Sequence, residues 1–522
     1  MCGIALIVGE GADRATFDRM LGSLEARGEV REELPSSVPH LLAGTQRLRI
    51  VDRDRAVQPW VSADGQWVLC YNGEVFNHGE LRSELSALGV PFRSESDTEV
   101  VLEAFRAWGP SAVARLRGEF AVAIVSRSDG RTFLARDALG VKPLYWARRA
   151  GRLHVASEVK ALVPVGSRVV EVPPGHYGWA LPGGGPELVP YVDLAHIGAD
   201  QVPINDPDEG AKLVRAALVD SIRVRVDTDL TVGVILSGGL DSSITLTQVR
   251  EMHPDCVAFT IGAPGSPDLE HARRLCADLG VPHEVITLRP SDIRFAEVRE
   301  AIRLGELTEY GDIINAVVSV PLFRRVRDVG VKVVLTGDGS DELFGGYPMY
   351  HTVGPSEARE LFLHKIRNLC RTELQRVDRT SMGHGVEARV PFLDPALVEL
   401  AMRMPLSLKM RCGKEKWIVR EAFADVLPGH ILERPKSPMS YSTGLHERAR
   451  LYKARYARAH RSFGYVLHEP VRRDFDAVLA RWGNDLPAAL AAGGFLGDYR
   501  WWEHGRDLLG ALRWFTRDRA PY

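Results

Sequence analysis

Over residues 1–190 the apolar positions come in short runs punctuated by Gly, Pro, Asn and Asp, which predicts many short strands, among them Trp67 to Tyr71, Phe120 to Val125 and Leu153 to Ala156. Two stretches break that rhythm with helical spacing. Phe17, Met20, Leu21 and Leu24 make one apolar stripe, and Val100, Val101, Ala104 and Phe105 make another just after Asp97. Layered β-sheet with covering helices is the expectation for this half. Gly, Pro and Asp then crowd Leu181 to Pro190 and Pro203 to Asp208, the composition of loop and linker, and place a boundary near Ile204. Beyond it a helical stripe (Leu213, Val214, Ala217, Leu218, Ile222) leads into the apolar run Val232 to Leu236, then glycines, then another helix. Further buried strands are expected at Cys256 to Ile261 and Val331 to Leu335. Alternating strand and helix predicts a parallel α/β sheet with ligands at its C-terminal strand ends. The C-terminal region reads as helical and aromatic, with Trp482, Trp501, Trp502, Trp514 and Phe515. The expected domains are residues 2–200 and 205–522.

Composition narrows the partners. Of 522 residues, 45% are hydrophobic and 26% charged, as in globular proteins, and 66 Lys plus Arg against 68 Asp plus Glu leave a formal charge of −2. No overall basic field exists, so neither nucleic acid nor an anionic membrane is an expected partner. The six cysteines are scattered at positions 2, 70, 256, 276, 370 and 412, without the density of a disulfide framework or the spacing of a zinc site. No apolar run reaches the ~18 residues of a membrane helix, and the N-terminus lacks a signal-peptide pattern. A cytoplasmic protein is expected.

Cys2 follows Met1 directly, so removal of Met1 would leave a cysteine carrying both a thiol and an α-amine. An α-amine titrates near ~7.7–8.0 and can take the thiol proton, which makes such a residue its own nucleophile and base. Asn72 and Gly73, in YNGEVFN after a strand, offer an amide and an unshielded N–H for an oxyanion, or simply a hairpin turn. Arg47 could clamp a carboxylate and Asp97 an ammonium, although each taken separately reads more readily as a surface ion-pair partner or helix cap. In the second half, VILSGGLDSS (Val234 to Ser243) places glycines, an aspartate and two serines between strand and helix, a phosphate cradle without the spacing or lysine of a Walker loop. LTGDGSDELFGGY (Leu335 to Tyr347) puts three acids beside glycines after the third strand.

The ordered motifs MCGI, RLRIVD, YNGEVFN, SDTEV, ARDALGVKPLY and ASEVKAL resemble the glutaminase domain of class II glutamine amidotransferases. That resemblance implies an N-terminal-nucleophile αββα sandwich, with Cys2 attacking the glutamine amide, Asn72 and Gly73 forming the oxyanion hole, and Arg47, Asn72, Glu74 and Asp97 holding glutamine. One departure stands out: the family carries Arg-Gly-Pro-Asp, which helps order the wall over the site, where this chain has Arg27, Gly28, Glu29 and Val30; an active glutaminase is still expected, with a slower, differently gated or partly degenerate one as the alternative. SGGLDSS resembles the pyrophosphate loop of ATP pyrophosphatases. With GDGSDELFGGY, GVEARVPFLD, GKEKWIVRE and ERPK added, nearly the whole chain resembles a glutamine-hydrolysing asparagine synthetase. The resemblance implies that Ser237, Gly238, Gly239, Asp241, Ser242 and Ser243 grip pyrophosphate, that Leu236, Ile261, Gly337 and Asp338 belong to the ATP site, that Asp241 and Asp341 bind Mg²⁺, and that Lys436 reaches the phosphates.

The implied partners are glutamine, ATP and a carboxylic acid; the sequence leaves a homodimer open. Aspartate is the default acceptor. Where many relatives carry Arg-Ala-Ser before the third strand, the stretch here is Ile314, Asn315 and Ala316, so an acceptor-binding arginine is not expected there. A specialised acid of secondary metabolism, or ring closure as in β-lactam-forming relatives, are the alternatives; a stand-alone glutaminase or a noncatalytic regulator are alternatives of a different class.

Overall fold

The computed structural model describes residues 1–435 except 36, 37, 39, 195, 308, 309 and 352, together with residue 443. Lys436 and the C-terminal tryptophans therefore lie outside the described residues. The first half holds β1 (Cys2–Val8), β2 (Val30–Glu33), β3 (Leu41–Arg47), β4 (Trp60–Val61), β5 (Trp67–Val75), β6 (Gly118–Ser126), β7 (Thr132–Arg136), β8 (Tyr145–Arg149), β9 (Arg152–Ala156), β10 (Val169–Glu171), β11 (His176–Ala180) and β12 (Pro186–Pro190). Among the described residues these form two six-stranded sheets, ordered β10-β8-β9-β1-β3-β2 and β12-β11-β7-β6-β5-β4. Every pairing within them is antiparallel.

The period-two alternation of β1 and β5 shows how the layers stack. Ile4, Leu6 and Val8 meet Val68 and Cys70 in a core between the sheets. The intervening Ala5 and Ile7 turn the other way, onto α1 (Arg14–Gly22) and the short α4 (Val159–Leu162) through Phe17, Met20, Leu21 and Leu162. Leu69 and Tyr71 likewise turn outward onto α2 (His78–Ala87) and α3 (Asp97–Trp108), against Leu81, Leu85, Val101 and Phe105. The result is an αββα sandwich in which each strand supplies two cores. Leu24 is buried with the α1 stripe but sits beyond the helix end. Pro186–Pro190, expected to be loop, is an edge strand paired with β11, and the left-handed Gly183 (φ 82°) lies in the turn before it.

In the second half, β13 (Val232–Ile235), β14 (Cys256–Gly262), β15 (His283–Thr287), β16 (Val333–Leu335) and β17 (Glu387–Arg389) form an all-parallel sheet ordered β15-β14-β13-β16-β17. Around them lie α5 (Pro207–Arg225), α6 (Leu240–Met252), α7 (Pro267–Leu279), α8 (Phe295–Gly305), α9 (Tyr310–Val329), α10 (Ser340–Phe344), α11 (Pro355–Asn368), α12 (Glu373–Met382), α13 (Pro395–Met402), α14 (Leu406–Lys409) and α15 (Trp417–Ala422). Val232, Val234 and Leu335 face α5 and α6, while Phe259, Ile261 and Val334 face α8 and α9. Of the α5 stripe, Val214, Leu218 and Ile222 are buried, whereas Leu213 is left exposed. The chain winds outward in both directions from β13, so its crevice opens where the loops after β13 and β16 leave the sheet. Those two loops are SGGLDSS and GDGSDE. No described helix is long and apolar enough to cross a membrane.

Candidate active sites

Cys2 opens β1 and is buried to 2% exposure in the sandwich core. Its backbone N–H donates to Asn72 Oδ1 at 2.9 Å. That bond fixes the Asn72 amide so that Nδ2, also buried, has no hydrogen-bond partner among the described residues. A buried amide donor without a partner costs free energy, roughly 1–3 kcal/mol, and marks a place built for an acceptor that arrives with a ligand. Burial pushes the Cys2 thiol up, opposed by the nearby N-terminus and Arg47. Gln58 locks the floor: its Nε2 donates to Cys2 Sγ at 3.5 Å, and its Oε1 accepts the Tyr71 N–H at 2.8 Å. Gly73 lies flat against β6, where a Cβ would stand 2.2 Å from the Glu119 carbonyl oxygen, so no larger residue fits.

Asp97, at the first turn of α3, accepts from Tyr71 Oη at 2.7 Å and from the Val75 N–H at 3.1 Å. Burial first, and then the Asp97 charge, push Glu74 well above the ordinary carboxylate range against the pull of Arg389. Two buried acids close enough to repel make a pocket that favours an ammonium group. Arg47 does not point at an open space: Nε and Nη2 grip Glu32 at 2.9 and 3.0 Å, and both terminal nitrogens donate to the Arg53 carbonyl oxygen. On the oxyanion role that the sequence resemblance implies for Asn72, Asn72→Ala is expected to lower kcat for glutamine hydrolysis about 10²–10³-fold, the usual cost of one oxyanion donor, with KM for glutamine little changed. Steady-state ammonia release checks it.

The Arg-Gly-Glu-Val segment forms a wall of its own. Arg27, 1% exposed, donates through Nε to the Cys2 carbonyl oxygen at 3.3 Å, and through Nη1 to Glu158 at 2.6 Å and to Asp378 at 2.8 Å. Gly28 packs on β3, where a Cβ would meet the Gln46 carbonyl at 2.4 Å. Glu29 reaches Lys332 of the second half at 2.8 Å. Asp378 also lies in the second half, on α12, where burial raises its pKa but Arg27 brings it down to about 2. More of this contact comes from β17, whose Glu387 stands 3.6 Å from the Met1 ammonium and whose Arg389 stands 3.6 Å from Glu74.

At the crevice of the parallel sheet, Ser237 and Ser242 bond each other through their hydroxyls at 3.0 Å, and Gly238 (φ 68°) turns against α7 with no room for a Cβ. Leu236 and Ile261 are buried beside this loop, and Gly337 packs on Asp241, where a Cβ would be 3.0 Å from the Asp241 Cβ. Ser340 donates to Asp241 Oδ1 at 2.7 Å. The side chain at the centre is Lys416. Its buried ammonium reaches Asp241 Oδ2 at 2.5 Å and Asp341 Oδ1 at 2.7 Å, so a single cation joins the two aspartates. Gly346 makes room for this: a Cβ there would overlap Asp341 Oδ1 and lie 2.5 Å from Lys416 Cε. Asp338 accepts from Arg376 Nη2 at 2.9 Å, and Arg434 Nη1 donates to the Gly238 carbonyl oxygen at 2.6 Å.

Residues 1–174 match the family described as glutamine amidotransferase domain, and residues 213–354 and 352–491 match asparagine synthase. Asparagine synthetase B [glutamine-hydrolyzing] of Escherichia coli (strain K12) is 36% identical over 423 residues, covering 76% of this chain and 74% of that protein. The chain belongs to the glutamine-hydrolysing asparagine synthetases. A probable asparagine synthetase of Schizosaccharomyces pombe is 34% identical over 76% of both chains, and asparagine synthetase 2 of Oryza sativa subsp. japonica is 33% identical over 91% of this chain and 84% of its own. The family consists of ATP-dependent ligases. Within that frame Lys416, Arg376, Arg434, Gln58 and Arg27 join the sites without having been singled out as site residues from sequence; Lys416 lies inside the GKEKWIVRE motif, and its left-handed backbone (φ 55°) ahead of α15 turns it inward. On α9, Ile314 and Ala316 are buried apolar residues, and Asp338 is paired with Arg376 of α12.

Proposed function

We propose that this chain is a glutamine-dependent, AMP-forming amide synthetase with aspartate as the default acceptor, working in the cytoplasm on two units near residues 2–200 and 205–522. Cys2 Sγ attacks the side-chain carbonyl carbon of glutamine, and the oxyanion takes hydrogen bonds from Asn72 Nδ2 and the Gly73 N–H. The Cys2 amine released by loss of Met1 accepts the thiol proton and returns it to the departing ammonia; water then cleaves the thioester to glutamate. Glu74 and Asp97 hold the α-ammonium of glutamine. Arg47 takes its α-carboxylate by exchanging one of its present partners, Glu32 or the Arg53 carbonyl.

In the second half a carboxylate oxygen attacks the α-phosphorus of ATP and pyrophosphate leaves. The loop Ser237 to Ser243 holds the phosphates with Asp338 nearby, while Leu236, Ile261 and Gly337 flank the nucleoside. Lys416 is a point charge for the developing negative charge, and the same role is proposed for Lys436, which lies outside the described residues. Mg²⁺ fits the donor set, because Asp241 and Asp341 are hard ligands already gathered around one positive charge. Among the described residues no group of three acids, histidines or cysteines could hold a metal alone, so phosphate oxygens would complete the shell. When bound, the ion would neutralise charge on the departing pyrophosphate. Ammonia crosses where Leu48 and Ile50 of the first half meet Val333 and Met382 of the second in a buried apolar cluster, which the loss of Met1 opens, and displaces AMP.

The observation that carries this reading, against a stand-alone glutaminase, is that α12 touches both centres. Asp378 holds Arg27 and through it the Cys2 carbonyl, while Arg376, half a turn earlier, holds Asp338. The direct experiment is glutamine-dependent AMP release measured with aspartate and a panel of other carboxylic acids. Glutamate formation without acid-stimulated AMP would reduce the protein to a glutaminase. Asp378→Asn is expected to uncouple the halves: the ratio of glutamate to AMP formed should rise about two- to tenfold, as expected for the loss of a coupling of about 0.5–1.5 kcal/mol. An unchanged ratio would remove α12 from the link.

A further inference from the structure

Away from both centres, a cavity of about 330 Å³ opens between the segment 198–205, α11 and the stretch from the end of α13 to α14. Its volume is near the lower end of small-ligand sites. Lys409 closes α14, is 1% exposed, and lines this cavity. Its ammonium lies 3.7 Å from the Phe362 ring centroid, and no carboxylate or carbonyl partner accompanies it among the described residues. Nearly every other buried cation here has an acid: Arg27 has Glu158 and Asp378, Arg225 has Glu119 and Asp394, and Lys416 has two aspartates. Arg359 and Arg403 also line the cavity, with no Asp or Glu among the described lining residues. Arg359 is spent on the carbonyl oxygens of Met402 and Ile197, at 2.8 and 3.0 Å, which holds its charge beside Lys409 rather than neutralising it.

A buried ammonium facing a cavity with no counter-charge is unfavourable unless an anion enters. Apart from the amides of Gln201 and Asn205, the remaining walls, including Phe362, Met402, Met404 and Leu406, are apolar. We propose that this cavity is a binding site for a small organic carboxylate, whose acid group pairs with Lys409 and whose apolar body rests on Phe362 and the methionines. The occupant would sit close to the nucleotide site: Met410, the next residue, packs on Gly345, where a Cβ would stand 3.2 Å from Met410 Cγ, and Gly346 touches Asp341 and Lys416.

Burial, and then Arg359, bring Lys409 down to about 7. The charged groups facing it are Arg359 from α11 and Arg403 after α13. An anion pairs with the protonated amine, so affinity should be full below pH 7 and fall as the pH rises beyond it.

The test is calorimetric titration of the full chain with benzoate, its uncharged analogue benzamide, and inorganic phosphate. Benzoate is expected to bind saturably and benzamide at least ~10-fold more weakly, since each 1.4 kcal/mol of lost charge pairing is tenfold. Lys409→Met should weaken benzoate by a similar factor with glutaminase activity unchanged. Benzoate binding undiminished in Lys409→Met would place it elsewhere, such as the acceptor site, and overturn the proposal; so would phosphate binding in place of benzoate, or no benzoate binding at all. Should Lys409→Met not fold, Arg403→Gln decides: weaker benzoate binding supports the site and unchanged binding overturns it.

Discussion

Replacing Cys2 with alanine is expected to remove glutamine-dependent synthesis while synthesis from free ammonium continues near the parent rate. In the proposed mechanism the thiol is the nucleophile of the first reaction and has no counterpart in the second, so the loss should be about three orders of magnitude or more, as for removal of a covalent nucleophile. Alanine also leaves the surroundings intact. The Cys2 N–H bond to Asn72 and the Arg27 bond to the Cys2 carbonyl are backbone contacts, so the wall against α12 survives the substitution. Amide formation measured once with glutamine and once with ammonium chloride separates the two reactions. Loss of both in a folded variant would show that the centres are not independent.

Lys416→Met should produce the opposite pattern. Methionine fills the volume but leaves Asp241 and Asp341 facing each other without the ammonium that joins them. Pyrophosphate release is expected to fall about 10²–10³-fold, the scale of one preorganised charge on a transferring phosphoryl group, while glutamine hydrolysis at Cys2 persists. The stability cost is about 1–3 kcal/mol, kept modest because the aspartate side chains remain 13% and 18% exposed. Lys416→Arg should not rescue, since the larger guanidinium must enter where Gly346 already closes on the lysine stem. Pyrophosphate production that survived the methionine variant would take Lys416 out of the phosphate site.

What was legible in the sequence was local. Cys2-Gly3, Asn72-Gly73 and the SGGLDSS loop announce themselves because a strand, a turn and the chemical groups are contiguous, and the alternation along β1 and β5 already carries both cores of the sandwich. What was not legible depends on pairs far apart in the chain. Lys416 meets Asp241 across 175 residues, and Arg27 meets Asp378 across 351. No spacing rule connects such positions. The two parallel strands that the hydrophobic pattern did not predict fail for separate reasons: β15 is a half-buried edge strand, and β17 is Glu-Ala-Arg. Its charges are tolerated inside because Arg389 and Glu387 pair with each other at 2.6 Å and meet Glu74 and the Met1 ammonium of the other half, contacts that a hydrophobic pattern does not show. The same holds for Arg47, whose present partner, Glu32, lies on the neighbouring strand.

The charged seam along β17 and α12 bears on any attempt to obtain an ammonia-only synthetase by cutting the gene near residue 204. Severing the chain there would strand Arg389, Glu387 and Asp378 at a fresh surface and strip Arg225 of Glu119. It would also bare one edge of the parallel sheet to pairing with other molecules. Such a fragment should be insoluble, whereas a single-atom disablement of the thiol keeps every countercharge in place.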